Sequence, residues 1–146
     1  MNNYSLYDEK TFYNAFIADL LNCREEIYIE SPFITSSQMQ LLYPVFEKLI
    51  KRKVKVYIVT RNPKEHLENM EEQSEQEIQR FERLGVQVFL CVGNHHRKLA
   101  ILDRKVIWEG SLNILSQTYS REIMRRINSK FLADKLFRFL KLDNVI

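Results

Sequence analysis

Apolar positions along this chain recur at two spacings, and the change from one to the other divides it into helix-like and strand-like stretches. Phe12, Phe16, Leu20 and Leu21 repeat at helical intervals behind Asp8, a cap candidate, and predict a first helix over about 8–23. Glu26 to Ser31 alternates and is β-branched, so it reads as a strand stopped by Pro32. Ser36-Ser37 supplies a cap for a second helix carrying Met39, Leu42, Val45, Phe46 and Leu49, and Val54 to Thr60 is the next strand. After Asn62-Pro63, Leu67, Met70, Ile78, Phe81 and Leu84 form the apolar seam of a third helix with an acidic outside, closed by Gly85.

Val86 to Leu90 then gives a third strand, and three strand-helix alternations in succession predict an α/β sheet with parallel neighbours. Beyond Gly93 the pattern changes to strand after strand. Arg97 to Leu102 and Lys105 to Glu109 are joined by the short Asp103-Arg104 turn, as in an antiparallel hairpin, and Glu122 to Ile127 is a weaker strand. Phe131, Leu132, Leu136, Phe137 and Leu140 make a closing helix capped by Asn128 or Ser129. The expected fold class is α/β: a mixed β-sheet flanked by helices on both faces.

Composition bounds this architecture without changing it. A length of 146 residues with 45% hydrophobic content suits one globular domain over 1–146. Three Gly, three Pro and no internal repeat leave no linker and no tandem halves. The first ten residues lack the basic start and apolar run of a signal peptide, and no stretch approaches the roughly 20 apolar residues of a membrane span, so a cytoplasmic protein with no membrane partner is expected. Cys23 and Cys91 lie far apart in apolar contexts and read as buried free thiols.

Charge is modest at +3 but segregated. Lys48, Lys51, Arg52, Lys53 and Lys55 precede one strand, Arg121, Arg125, Arg126, Lys130, Lys135, Arg138 and Lys141 fill the C-terminal part, and Glu68, Glu71, Glu72, Glu75 and Glu77 crowd one helix. Such segregation either attracts polyanions or forms ordinary solvated helix surfaces.

The chemistry is concentrated within eighteen positions, from His96 to Asn113. Side chains alternate along a strand, so His96 and Lys98 share one side and Asp103 points away, where it suits a supporting role at the hairpin. A neutral imidazole is a nucleophile and proton carrier near pH 7, and an ammonium beside it stabilises charge building on a phosphoryl group. The hairpin returns Gly110-Ser111-Leu112-Asn113 beside His96, with Ser111 and Asn113 offering neutral donors.

His96-x-Lys98-x4-Asp103-x6-Gly110-Ser111-x-Asn113 resembles the signature of the phospholipase D superfamily, whose members include phosphodiesterases, nucleases and phospholipid enzymes. Ile27 to Phe33, the strand ending at Thr60-Arg61, and Glu122 are similar to that family's layout, so the resemblance covers most of the chain and implies a phospholipase D-like half-domain. It also implies a two-step displacement without metal or cofactor: His96 attacks phosphorus to form a phosphohistidine, and the His of a second motif protonates the leaving oxygen and then activates water. Lys98 and Asn113 would hold the non-bridging oxygens. Ser111 would add a phosphate contact or orient His96, and Glu122 matches the acidic residue that orients the histidine in single-motif bacterial nucleases of this family.

Since one chain carries one motif, the resemblance implies a homodimer with its active site across the two-fold axis, with Leu112, Ile114 and Leu115 as interface candidates. Arg61, at the carboxyl end of a strand, is a candidate contact to a nucleic-acid backbone, and Ser31 holds the corresponding place after the first strand as a substrate-side residue. His95, of opposite parity to His96, reads as a rim residue, and His66 as solvated. No Cys or carboxylate stands at ligand spacing from the paired histidines, so no metal is expected. The leading function is a phosphodiesterase, most directly a nuclease acting on DNA or RNA. The alternatives are a phospholipid hydrolase or phosphatidyltransferase, which requires an exposed apolar face not evident in the sequence, and a nucleic-acid-binding module of a larger restriction, repair or helicase system.

Overall fold

The computed structural model describes residues 3–63, 68–93, 95–116, 120–144 and 146, with backbone only for 68–73. Among these, seven strands form one sheet: β1 (Tyr4–Asp8), β2 (Glu26–Glu30), β3 (Lys55–Arg61), β4 (Gln87–Cys91), β5 (Leu99–Leu102), β6 (Val106–Gly110) and β7 (Ile123–Asn128). Four helices accompany them: α1 (Phe12–Leu21), α2 (Ser36–Lys51), α3 (Glu68–Leu84) and α4 (Lys130–Phe139). The strand order is β1-β7-β6-β5-β2-β3-β4. β2, β3 and β4 run parallel, whereas β5, β6, β7 and β1 join as antiparallel neighbours. The mixed sheet read from the sequence is therefore the observed one.

Alternation divides the strand residues between two apolar layers. Ile27, Ile29, Ala100, Leu102 and Trp108 pack on the side that receives Phe12 and Phe16 of α1, Leu42 and Phe46 of α2, and Phe81 of α3. Tyr28, Val59, Leu99, Ile101 and Ile107 face the opposite side, where Ala133 and Phe137 of α4 cover them. Burying side chains of this size stabilises by about 1.5–3 kcal/mol each, so both layers are needed to hold the central strands. Asp19 of α1 ties the helix to the sheet, accepting hydrogen bonds from Trp108 Nε1 at 2.8 Å and from Arg126 Nε at 2.6 Å.

Several boundaries differ from the pattern reading, each for a local reason. No element is predicted before residue 8, yet Tyr4–Asp8 forms an edge strand because β7 offers it a free edge; Tyr4 and Leu6 stay exposed, which hides the strand from a burial-based pattern. Asp8 does not cap α1. It closes a turn by accepting the amides of Lys10 and Thr11, and Thr11 holds the cap position. Thr35, not Ser36 or Ser37, precedes α2, while Ser129 caps α4 by accepting the Leu132 amide.

α4 covers only part of its side of the sheet. Phe131 and Phe139 of α4 and Ile123 of β7 remain 71%, 80% and 63% exposed, so an apolar surface is present where the sequence suggested none. Leu112, Ile114 and Leu115 are the reverse case: all three are completely buried in the core and do not supply an interface. Glu77 also departs from the acidic outside read for α3, being buried with its carboxylate 2.6 Å from the Tyr43 hydroxyl. No helix among the described residues is long and apolar enough to cross a membrane.

Candidate active site

Because β5 runs against β2 and β6 runs against both β5 and β7, one end of the sheet gathers the carboxyl ends of β2, β3 and β6 with the amino ends of β5 and β7. His96 and Lys98 lie in the segment just before β5, Ser111 and Asn113 just after β6, and Glu122 just before β7. β5 starts at Leu99 rather than at Arg97, so the two charged residues precede the ladder instead of lying within it. The segment is still held in line with the ladder, since the Gly110 amide reaches the Lys98 carbonyl at 3.4 Å.

His96 is exposed and Lys98 half-buried, with the Lys98 ammonium donating to the His96 carbonyl at 2.7 Å. Ser111 locks the turn to β7: its amide donates to the Ile123 carbonyl at 3.0 Å, and its hydroxyl oxygen accepts the Ile123 amide at 3.0 Å. Gly110 is required there by close approach, because a Cβ would stand 2.1 Å from the Ile123 carbonyl oxygen. Asn113 Oδ1 is buried and makes no hydrogen bond among the described residues. Glu122 is half-buried beside the Ser111–Ile123 contact, and its amide donates to Glu9 at 2.7 Å.

Two residues named from the sequence are held in structural contacts instead. Asp103 occupies the opposite end of β5, where its carboxylate accepts the amides of Arg24, Glu25 and Glu26 at 2.9, 2.9 and 3.0 Å. It fixes the entry to β2 and does not reach the His96 end. Ser31 corrects the expectation of a substrate contact: it is completely buried, donates to the Phe33 carbonyl at 2.9 Å and accepts the Leu115 amide at 3.1 Å. Ser31 thus joins the loop after β2 to the loop after Asn113. Arg61 ends β3 at the site's edge, its guanidinium 5.8 Å from the centre of the Phe33 ring.

Pattern reading missed the charged cluster behind the motif. Glu30, at the end of β2, is completely buried; its Oε1 lies 3.0 Å from His95 Nε2 and accepts Arg97 Nε at 2.9 Å. His95 is accordingly not a rim residue, with a side chain only 10% exposed. Burial holds its imidazole below the usual value, against the opposing pull of Glu30. Burial likewise raises the Cys91 thiol, with Glu30 a smaller cause. The available signal was a carboxylate at an inward position of an apolar central strand, which requires a cationic partner.

A groove of about 450 Å³ opens from the motif along the α4 side of the sheet, lined by Arg97, Lys98, Gly110, Arg125, Leu136 and Leu140 among others. Among the described residues no group of three or more His, Cys, Asp or Glu is placed to hold a metal ion. His66 lies outside the described residues.

A family model described as cardiolipin synthase, PLD-like domain, matches residues 16–141. A comparison with curated proteins finds no match. Among solved structures, the fold is similar to Nuc, a phospholipase D family member from Salmonella typhimurium, with a TM-score of 0.72 and 19% identity over 93% of this chain and 91% of that one. It is similar to NucT from Helicobacter pylori at a TM-score of 0.70 and 20% identity, again over 93% and 91% of the two chains. Phosphatidylserine synthase from Haemophilus influenzae gives a TM-score of 0.69 at 14% identity, over 97% of this chain and 38% of that one.

Proposed function

This chain belongs to the phospholipase D-like domain family, and from that membership we propose that it is a metal-independent phosphodiesterase that cleaves DNA or RNA as a homodimer. The observation that supports this reading is the convergence of His96, Lys98, Ser111 and Asn113 at one end of the sheet, with a groove that carries Arg97, Lys98 and Arg125 as well as Glu109 leading away from them. The single motif per chain supports the dimer, because the displacement needs two imidazoles.

In the proposed reaction a ring nitrogen of His96 in one subunit attacks phosphorus, forming a P–N bond as the P–O bond to the leaving strand breaks. The leaving oxygen takes a proton from the partner subunit's His96. That imidazole, now neutral, takes a proton from water, the hydroxide attacks phosphorus, and the P–N bond breaks to free the first histidine. Lys98 stabilises the charge on the phosphoryl oxygens, for which its ammonium leaves the His96 carbonyl, and the Asn113 carboxamide serves as the neutral donor. Ser111 and Glu122 act from the β7 side to hold the turn and orient His96, and Arg61 contacts the substrate backbone. Asp103 has a structural role.

A second reading, phospholipid hydrolysis or phosphatidyl transfer, draws support from Phe131 and Phe139 exposed on a helix that also carries Lys130, Lys135 and Arg138. Contact between two copies would cover the same side chains. EDTA-treated protein assayed on single- and double-stranded DNA and RNA, on bis(p-nitrophenyl) phosphate and on anionic phospholipid vesicles separates these readings. Cleavage of nucleic acid in EDTA, lost in His96→Ala with fold and dimer retained by circular dichroism and sedimentation velocity, is the expected result. Strict dependence on a divalent metal, or activity surviving His96→Ala, overturns the mechanism. Tight DNA binding without hydrolysis of any substrate indicates a binding module.

A further inference from the structure

β2 is built of residues that suit a buried strand until its last position, where Glu30 brings a carboxylate into a completely buried site. A charge there is tolerated only when paired, and the charge partner is Arg97; His95, the other neighbour of His96, packs its imidazole against the same carboxylate, with burial holding it below its usual value. Arg97 contributes both Nε and Nη2, each 2.9 Å from Glu30 Oε1, while His95 Nε2 lies 3.0 Å from the same oxygen as a close contact that makes no hydrogen bond among the described residues. Glu30 pairs across the ladder with Leu99, so the anchor stands beside the first residue of β5.

The alternation of the chain turns this anchor into a constraint on the motif. Leu99 and Ile101 pack on the α4 side of the sheet, Ala100 and Leu102 on the other. Glu30, following Tyr28, belongs to the α4 side, and holding His95 and Arg97 there continues the odd-numbered series back from Leu99. His96 stands between these two anchored residues, while Lys98 lines the groove on the α4 side beside Arg97. Without the anchor the segment before β5 has few ladder bonds to set its rotation, since the Gly110 amide to the Lys98 carbonyl is long at 3.4 Å.

We propose that Glu30 is a positioning residue for His96, acting through His95 and Arg97 to fix which way the histidine faces. The proposal rests on His96 being the nucleophile for its effect on rate, but not for its effect on His96 order. Misplacing a reacting group by about 1 Å costs on the order of 100-fold in rate, so Glu30→Gln and Arg97→Gln are each expected to lower kcat on bis(p-nitrophenyl) phosphate by about 10- to 100-fold. KM for Glu30→Gln should stay within about twofold, and the double variant should have a kcat no lower than that of the worse single one, because both act through one contact.

The second readout is the NMR spectrum of the His96 ring, selectively labelled and assigned by comparison with His96→Ala. Broadening or movement of its signals towards those of a free histidine is expected in both variants, with the buried Trp108 indole signal unchanged. Arg97→Gln, a change at a half-exposed side chain, keeps the test open if Glu30→Gln does not fold. An unchanged His96 signal in a folded variant overturns the proposal, whether or not kcat falls. Absence of phosphodiesterase activity in the unsubstituted protein defeats the functional reading alone, and the His96 signal still decides the positioning.

Discussion

Asp103 belongs to the motif by spacing but stands at the far end of β5 from His96, so its replacement separates stability from chemistry. Its Oδ1 accepts the amides of Glu25 and Glu26, and its Oδ2 that of Arg24. Hydrogen bonds to an ionised group contribute about 1.5–3 kcal/mol when buried, and about 1 kcal/mol each is a suitable value where water reaches them. Asp103 also adopts a left-handed backbone, with φ of +51°, which Asp and Asn tolerate and which costs alanine about 1 kcal/mol more. Asp103→Ala therefore loses about 3–4 kcal/mol. Asp103→Asn keeps the Oδ1 acceptor and the backbone preference, and loses about 1 kcal/mol.

Urea unfolding followed by the fluorescence of Trp108, the one tryptophan, at fixed protein concentration measures both losses. Turnover of bis(p-nitrophenyl) phosphate, corrected to the folded fraction, measures the chemistry. Both variants should retain kcat within about threefold, far above the 100-fold loss typical of removing a transition-state donor, while the urea midpoints fall in the order Asn then Ala. A loss of kcat near 100-fold at an unchanged midpoint would refute the structural assignment of Asp103.

Two further outcomes follow from the same geometry. Gly110→Ala sets a Cβ 2.1 Å from the Ile123 carbonyl oxygen and 2.9 Å from Met124 Cα; β6 and β7 must separate at a cost of about 2–4 kcal/mol, seen as a lower urea midpoint with reduced turnover, and wild-type stability would show that the close approach is not required. Burial, with smaller contributions from Asp103 and Asp19, pushes the Cys23 thiol up from its ordinary 9.0 to about 12. The unfolded thiol ionises first, so this contribution is intact below pH 9 and declines as pH rises towards 12. Urea midpoints should fall between pH 8 and pH 10.5 less steeply in Cys23→Ala than in the parent, and equal slopes would contradict the burial effect.

Local pattern was sufficient wherever a residue's role depends on its own neighbours in sequence. Periods of 2 and 3.6 marked β2 to β7 and the four helices because each element buries one face or two, and the spacing from His96 to Asn113 was readable because a hairpin returns its second strand at a fixed distance. Parity set Asp103 apart from His96 by face, whereas in the structure it is the length of β5 that puts them at opposite ends. Tertiary structure decided what depends on pairing between distant segments. β1 exists because β7 leaves an edge, Ser31 is internal because the loop after Asn113 closes over it, and Leu112, Ile114 and Leu115 are core because α1 and α2 cover that side. The anchor between Glu30 and Arg97 spans 67 positions. No sequence period reports such a pair, since a buried carboxylate announces that it needs a partner but only the packed sheet determines which cation meets it.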